Sequence, residues 1–169
     1  MTIAPCLSSL FITESLTWGA DWAWGLPLIV LTVLIHVFCL GVVRQWAFRA
    51  TTYTILRRHQ NAMFGVIVCG ATLSATALHG VEAGLWAIAY RFLDALHDNR
   101  SAMLYSLNAL TSYGHATLQL DQRWHLMGAM EALNGWLLFG LSTAFLFSIV
   151  EKLSRLDSQG NIIYGPVHS

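Results

Sequence analysis

The sequence predicts an all-α membrane protein with three transmembrane helices. Between the second and third it predicts a short re-entrant helix followed by an extended loop. Three observations carry this. Only 11% of the 169 residues are charged, and mean hydropathy is +0.55, where soluble domains hold about 25% charged residues. The charges are placed so that three uncharged or nearly uncharged stretches of bilayer-crossing length lie between them. A fourth uncharged stretch, 101–120, is too polar and its helix-forming part too short to cross.

Asp21 and Arg44 bracket the first stretch, which holds the run LPLIVLTVLIHVFCLGVV, and the span is placed at 26–46. Residues 1–25 are expected as an external segment; they begin with twenty residues lacking Lys and Arg, so they have no basic region of the kind that opens a signal peptide. The second span, 62–88, contains MFGVIVCGATLSATAL and resumes beyond Glu82 as GLWAIAY. The third, 126–150, has Glu131 as its only charge, and 151–169 form a tail. Basic residues set orientation. Arg44, Arg49, Arg57, Arg58, Lys152 and Arg155 fall on one side, Arg91, Arg100 and Arg123 on the other, so the N-terminus is expected outside and the tail in the cytoplasm. Trp18, Trp22 and Trp24, with Trp86, Tyr90 and Trp124, are expected to form the outer interfacial belt, and Trp46 to mark the inner boundary.

The stretch SAMLYSLNALTSYGHATLQL carries Ser101, Ser106, Asn108, Thr111, Ser112, His115, Thr117 and Gln119, more polarity than a lipid-facing helix accepts. Its helix-forming part, SAMLYSLNAL, has about half the length of a crossing. A short helix dipping in from the outer face, returning as extended TSYGHATL, fits better. Extended backbone at membrane depth must be buried in protein or line a water-filled cavity, because hydrocarbon satisfies no N–H or C=O group. Copies arranged around an axis would bury such loops against one another. The alternative is a loop plugged against its own three helices.

Several function classes are excluded at this level. Nine Lys+Arg balance nine Asp+Glu, leaving no basic excess for nucleic acid. Cys6, Cys39 and Cys69 lack C-x-x-C spacing and indicate neither a disulfide framework nor a zinc site. No nucleophile with an adjacent base and no Gly-rich phosphate loop is present, so no catalysis is expected. His36 and His79 invite a bis-histidine haem, their depths differing by ~6 Å at about 1.5 Å per residue. No second pair exists and the loop would be unexplained, so neither a cofactor nor a metal is expected.

Two spans flanking a re-entrant helix and an extended loop resemble the pore module of potassium channels. Met103-Leu104-Tyr105 stands in the pore helix and Trp124 follows the loop. The string Glu131-Ala132-Leu133-Asn134-Gly135-Trp136-Leu137-Leu138-Phe139-Gly140-Leu141-Ser142-Thr143-Ala144 resembles the inner helix E-A-x-x-G-x-x-x-F-G-x-S-T-A of small bacterial ion-channel proteins of the two-pore-domain potassium channel family. His79, Glu82, Trp86, Ala87 and Tyr90 resemble the second span of that group, and the likeness covers roughly residues 75–150. The resemblance implies a homotetrameric ion channel in a bacterial inner membrane, passing monovalent cations and needing no cofactor.

In that register the family filter T-T-L-G-Y-G-D falls on Thr111, Ser112, Tyr113, Gly114, His115, Ala116 and Thr117, keeping only the first threonine and the first glycine. Alanine at 116 replaces a glycine that permits positive φ. Thr117 replaces the acidic residue that concentrates cations at the mouth. Potassium selectivity is therefore expected to be altered or lost. The alternative function is a non-conducting membrane interaction or regulatory protein that retains the channel fold. His115 either contributes an imidazole to an axial ring or hydrogen-bonds behind the filter. Thr111 and Ser112 line the axis or simply end the pore helix. Glu131, with Trp124, is expected to brace the filter, the alternatives for Glu131 being to attract cations or to pair with Arg123, His125 or the pore helix. Glu131, Asn134 and Gly135 share one helix face, and Asn134, Gly135, Gly140 and Ser142 are the inner-helix candidates for pore lining or a hinge. His79 and Glu82, at i and i+3, form a second-span pair.

Overall fold

A computed structural model describes the backbone of residues 4–54, 60–114 and 118–163, and side chains over 18–50, 64–114 and 118–155. Among the described residues the chain is entirely helical: α1 (Ala4–Thr54), α2 (Gln60–Phe92), α3 (Asn99–Leu110) and α4 (His125–Ile163), the last preceded by a 3-10 turn at Gln122–Trp124. Three of these hold segments long and apolar enough to cross a membrane: Trp18–Ala50, Phe64–Phe92 and Gln122–Arg155. α3, at 12 residues, spans only about 18 Å at 1.5 Å per residue and cannot cross.

The helices overrun the expected spans. α1 is continuous through the segment expected to be external, and α4 continues past 150 to Ile163. Nothing in the sequence stops either helix there. Pro27 lies inside α1 and does not end it. Asp21, used above as the boundary of the first span, is buried and accepts a hydrogen bond from the Met127 backbone N–H.

Contacts divide the chain into two units, Met1–Ile35 with Gly80–Leu138, and His36–His79 with Phe139–Ser169. The first unit holds α3 and has a core of Trp86, Tyr90, Leu96, Ala102, Leu120, Trp124 and Met127. This corrects the expected belt. Trp86, Tyr90 and Trp124 are buried in protein rather than presented to an interface, whereas Trp18, Trp22, Trp24 and Trp46 are exposed. Composition suits both places, since an aromatic body packs in a core as readily as at a headgroup boundary. The core of the second unit is Ala47, Ile67, Ala71, Ile149 and Leu153. The small residues there allow close helix approach, as at membrane helix interfaces.

Candidate functional site

α2 and α3 both end in the same local device, read from backbone geometry. At the end of α2, Asp94 takes a left-handed conformation (φ 54), its N–H bonds the Arg91 carbonyl and the Ala95 N–H bonds the Tyr90 carbonyl. At the end of α3, Ser112 is left-handed (φ 53), its N–H bonds the Ala109 carbonyl and the Tyr113 N–H bonds the Asn108 carbonyl. This paired pattern is the Schellman motif, which satisfies orphan carbonyls and turns the chain sharply. Glycine is the usual occupant of the left-handed position, so the sequence carried no obvious signal for either turn.

α3 begins at an N-cap. The Asp98 carboxylate accepts from the Ser101 N–H at 2.9 Å and from the Ser101 hydroxyl at 3.1 Å. These bonds favour the charged form and hold the Asp98 carboxyl below its ordinary value. Arg91 joins the end of α2 to this start, donating from Nε to Asn99 Oδ1 and from Nη1 to the Leu96 carbonyl, both at 2.7 Å.

Midway along α3 a polar anchor fixes it to the neighbouring helices. Glu131 of α4 is fully buried; Tyr90 of α2 donates its hydroxyl to Oε2 at 2.6 Å, and the Ser106 hydroxyl of α3 bonds Oε1. The same Ser106 oxygen also lies 2.7 Å from the Ala83 carbonyl oxygen, so its single hydroxyl hydrogen is shared between the two acceptors. One buried carboxylate therefore ties three helices together. Near the C-terminus of α3 the helices meet so closely that a Cβ on Gly135 would stand 2.1 Å from the Leu110 carbonyl oxygen. Only glycine fits at that crossing.

These contacts place the expected site residues. Glu131, Asn134 and Gly135 do share a buried face. The partner of Glu131 is the body of α3 rather than the loop, and the Asn134 side chain donates to the Thr32 hydroxyl of α1 at 2.8 Å. Asn134 is therefore a helix-packing contact and not an exposed lining group. Gly135 permits close packing, while Gly140 faces open space with nothing within 4 Å of a Cβ. Trp124 is buried in the core with Arg123 over its ring at 5.4 Å. Thr111 caps α3, its hydroxyl bonding back to the Leu107 carbonyl at 2.8 Å. The Ser112 hydroxyl accepts from the Trp136 indole N–H at 2.8 Å. Tyr113 is 84% exposed, and Gly114 has positive φ, 84°. His115, Ala116 and Thr117 lie outside the described residues.

In the second unit, His36 of α1, His79 of α2 and Ser142 of α4 converge. The Ser142 hydroxyl lies 3.1 Å from His36 Nε2 and 3.2 Å from His79 Nε2, and the imidazole centroids are 5.2 Å apart. Ser142 is thus buried between histidines rather than exposed on a pore wall. Glu82 is buried three residues along α2 from His79. The pore helix was among the expected partners of Glu131, but Ser106 as the contacting residue, and Tyr90 and Thr32 as polar partners, were missed. The repeat of hydroxyl residues along α3 was visible, but not which helix each one meets.

Comparison with protein-family models, curated proteins and solved structures finds no match.

Proposed function

We propose that the chain is the subunit of a symmetric membrane channel, a homotetramer in a bacterial inner membrane with outer N-terminus and cytoplasmic tail. In it α3 is a re-entrant pore helix, and the loop from Thr111 onward lines the axial opening. The observation that carries this reading is the anchoring of α3. A helix too short to cross is held at mid-length by Glu131 and at its end by the Gly135–Leu110 approach, which fixes the position of the turn that follows. That turn offers its described side chains outward, Tyr113 above all. Such an arrangement is wasteful for a plug buried in its own subunit and useful where copies meet.

The conducted species is a monovalent cation. α3 ends immediately before the loop, so the negative end of its dipole is directed at residues 111–114, and no Lys or Arg lies between Ser101 and Leu120. The divergent loop supports weak discrimination between potassium and sodium. Glu131 braces the loop through α3 rather than by direct contact. Reconstitution into planar bilayers tests the reading. Single-channel currents with cation-over-anion reversal potentials and a small K⁺/Na⁺ preference are expected. Absence of current with K⁺, Na⁺ and protons across pH would overturn it and leave the non-conducting membrane interaction protein in its place.

A further inference from the structure

We propose that His36 and His79 form a transition-metal site, of the Zn²⁺ class, inside the membrane-spanning helices. Both residues lie within apolar segments, Trp18–Ala50 and Phe64–Phe92, where polar and ionisable groups are expensive and mark functional sites. Their imidazoles come from different helices yet both direct Nε2 at one point, the Ser142 hydroxyl, at 3.1 and 3.2 Å. Imidazole nitrogens suit Zn, Cu, Ni and Fe rather than Ca or Mg. A Zn²⁺ ion about 2.0–2.1 Å from each nitrogen would lie between the two rings, with the Ser142 oxygen beside it.

The donor set extends along α2. Glu82 follows His79 at i+3, so both side chains lie on one face of α2. A carboxylate on that face adds the negative charge that two neutral imidazoles lack. In the absence of an ion the Ser142 hydroxyl, within hydrogen-bond distance of both Nε2 atoms, points the two rings at one place; an ion bound there takes over those nitrogens and leaves the Ser142 oxygen beside it as a weak oxygen donor. The ion would tie α1, α2 and α4 together within the second unit.

The test uses the full chain in lipid nanodiscs, stripped with EDTA and titrated with Co²⁺ as a spectroscopic stand-in for Zn²⁺. One Co²⁺ per chain is expected, with visible ligand-field bands that Zn²⁺ displaces. Each of His36→Ala and His79→Ala should weaken binding by more than ~100-fold, and Ser142→Ala by less than either. His97→Ala with His125→Ala should leave affinity unchanged. Should a histidine-to-alanine variant fail to fold, His36→Gln and His79→Gln replace it with the same expectation. No saturable binding by the stripped native chain, or equal affinity in the His36 and His79 variants, would overturn the proposal.

Discussion

Glu131 is a buried acidic group about two turns into an apolar helix, and taking such a group out of water is costly unless hydrogen bonds compensate. The Tyr90 and Ser106 hydroxyls compensate it. Ser106→Ala strips one of them and leaves the carboxylate under-bonded, at a cost of about 1–3 kcal/mol. Thermal unfolding in micelles, followed by tryptophan fluorescence, should show a lowered Tm for that variant and a smaller loss for Ser106→Thr; equal Tm for alanine and native protein would contradict the anchor. Helical spacing alone places Glu131, Asn134 and Gly135 on one face, so this part of the site was legible in the sequence. Their partners were not. Whether Asn134 meets Thr32, or Glu131 meets Ser106, depends on how separate helices cross, which spacing within one helix does not encode.

α3 carries two tests at the scale of the element. The bonds from Ser101 lower the Asp98 pKa from its ordinary value of 3.8, so the folded state favours the ionised cap. That stabilisation is present in full above the ordinary value and is lost as pH falls through the lower, folded-state pKa. Hydrogen exchange at the first turn of α3 should therefore speed up in acid beyond the intrinsic rate, and Asp98→Asn should flatten that dependence. At the other end, Gly135→Ala drives a methyl into the Leu110 carbonyl, and overpacking of this kind costs typically 1–3 kcal/mol or more. Gly140→Ala meets nothing and gains up to about 1 kcal/mol of helix propensity. Comparing the two melting temperatures checks both, and a Gly135 variant as stable as the Gly140 variant would contradict the close crossing.

The start and end of α3 were close to legible: the helix-forming run 101–110 became Asn99–Leu110, because good helix formers fill that run and weaker ones follow it at Thr111 and Ser112, although neither the Asp98 cap nor the closing turn was read. The aromatic belt was misread for Trp86, Tyr90 and Trp124, because an aromatic near a span end has the same sequence signature whether it meets lipid or a neighbouring helix.

Among the described residues, exposed apolar side chains run along all three long helices, with Phe38, Leu73, Ile88, Leu133, Trp136 and Phe147 among them. Water would not tolerate so much exposed apolar surface, and a bilayer or further copies of the chain would cover it. The shortage of charge was legible at once as membrane character, since a per-residue property needs no knowledge of packing. What lies between copies is encoded in the surfaces of more than one chain, and there the central claim rests on the loop after α3. It is tested most directly by placing a single thiol at Tyr113. In a channel with Cys6, Cys39 and Cys69 replaced by serine, Tyr113→Cys should carry currents that fall when a charged methanethiosulfonate reagent reaches the loop from the outer side. Complete modification of that thiol with conductance unchanged would contradict a pore lined by this loop.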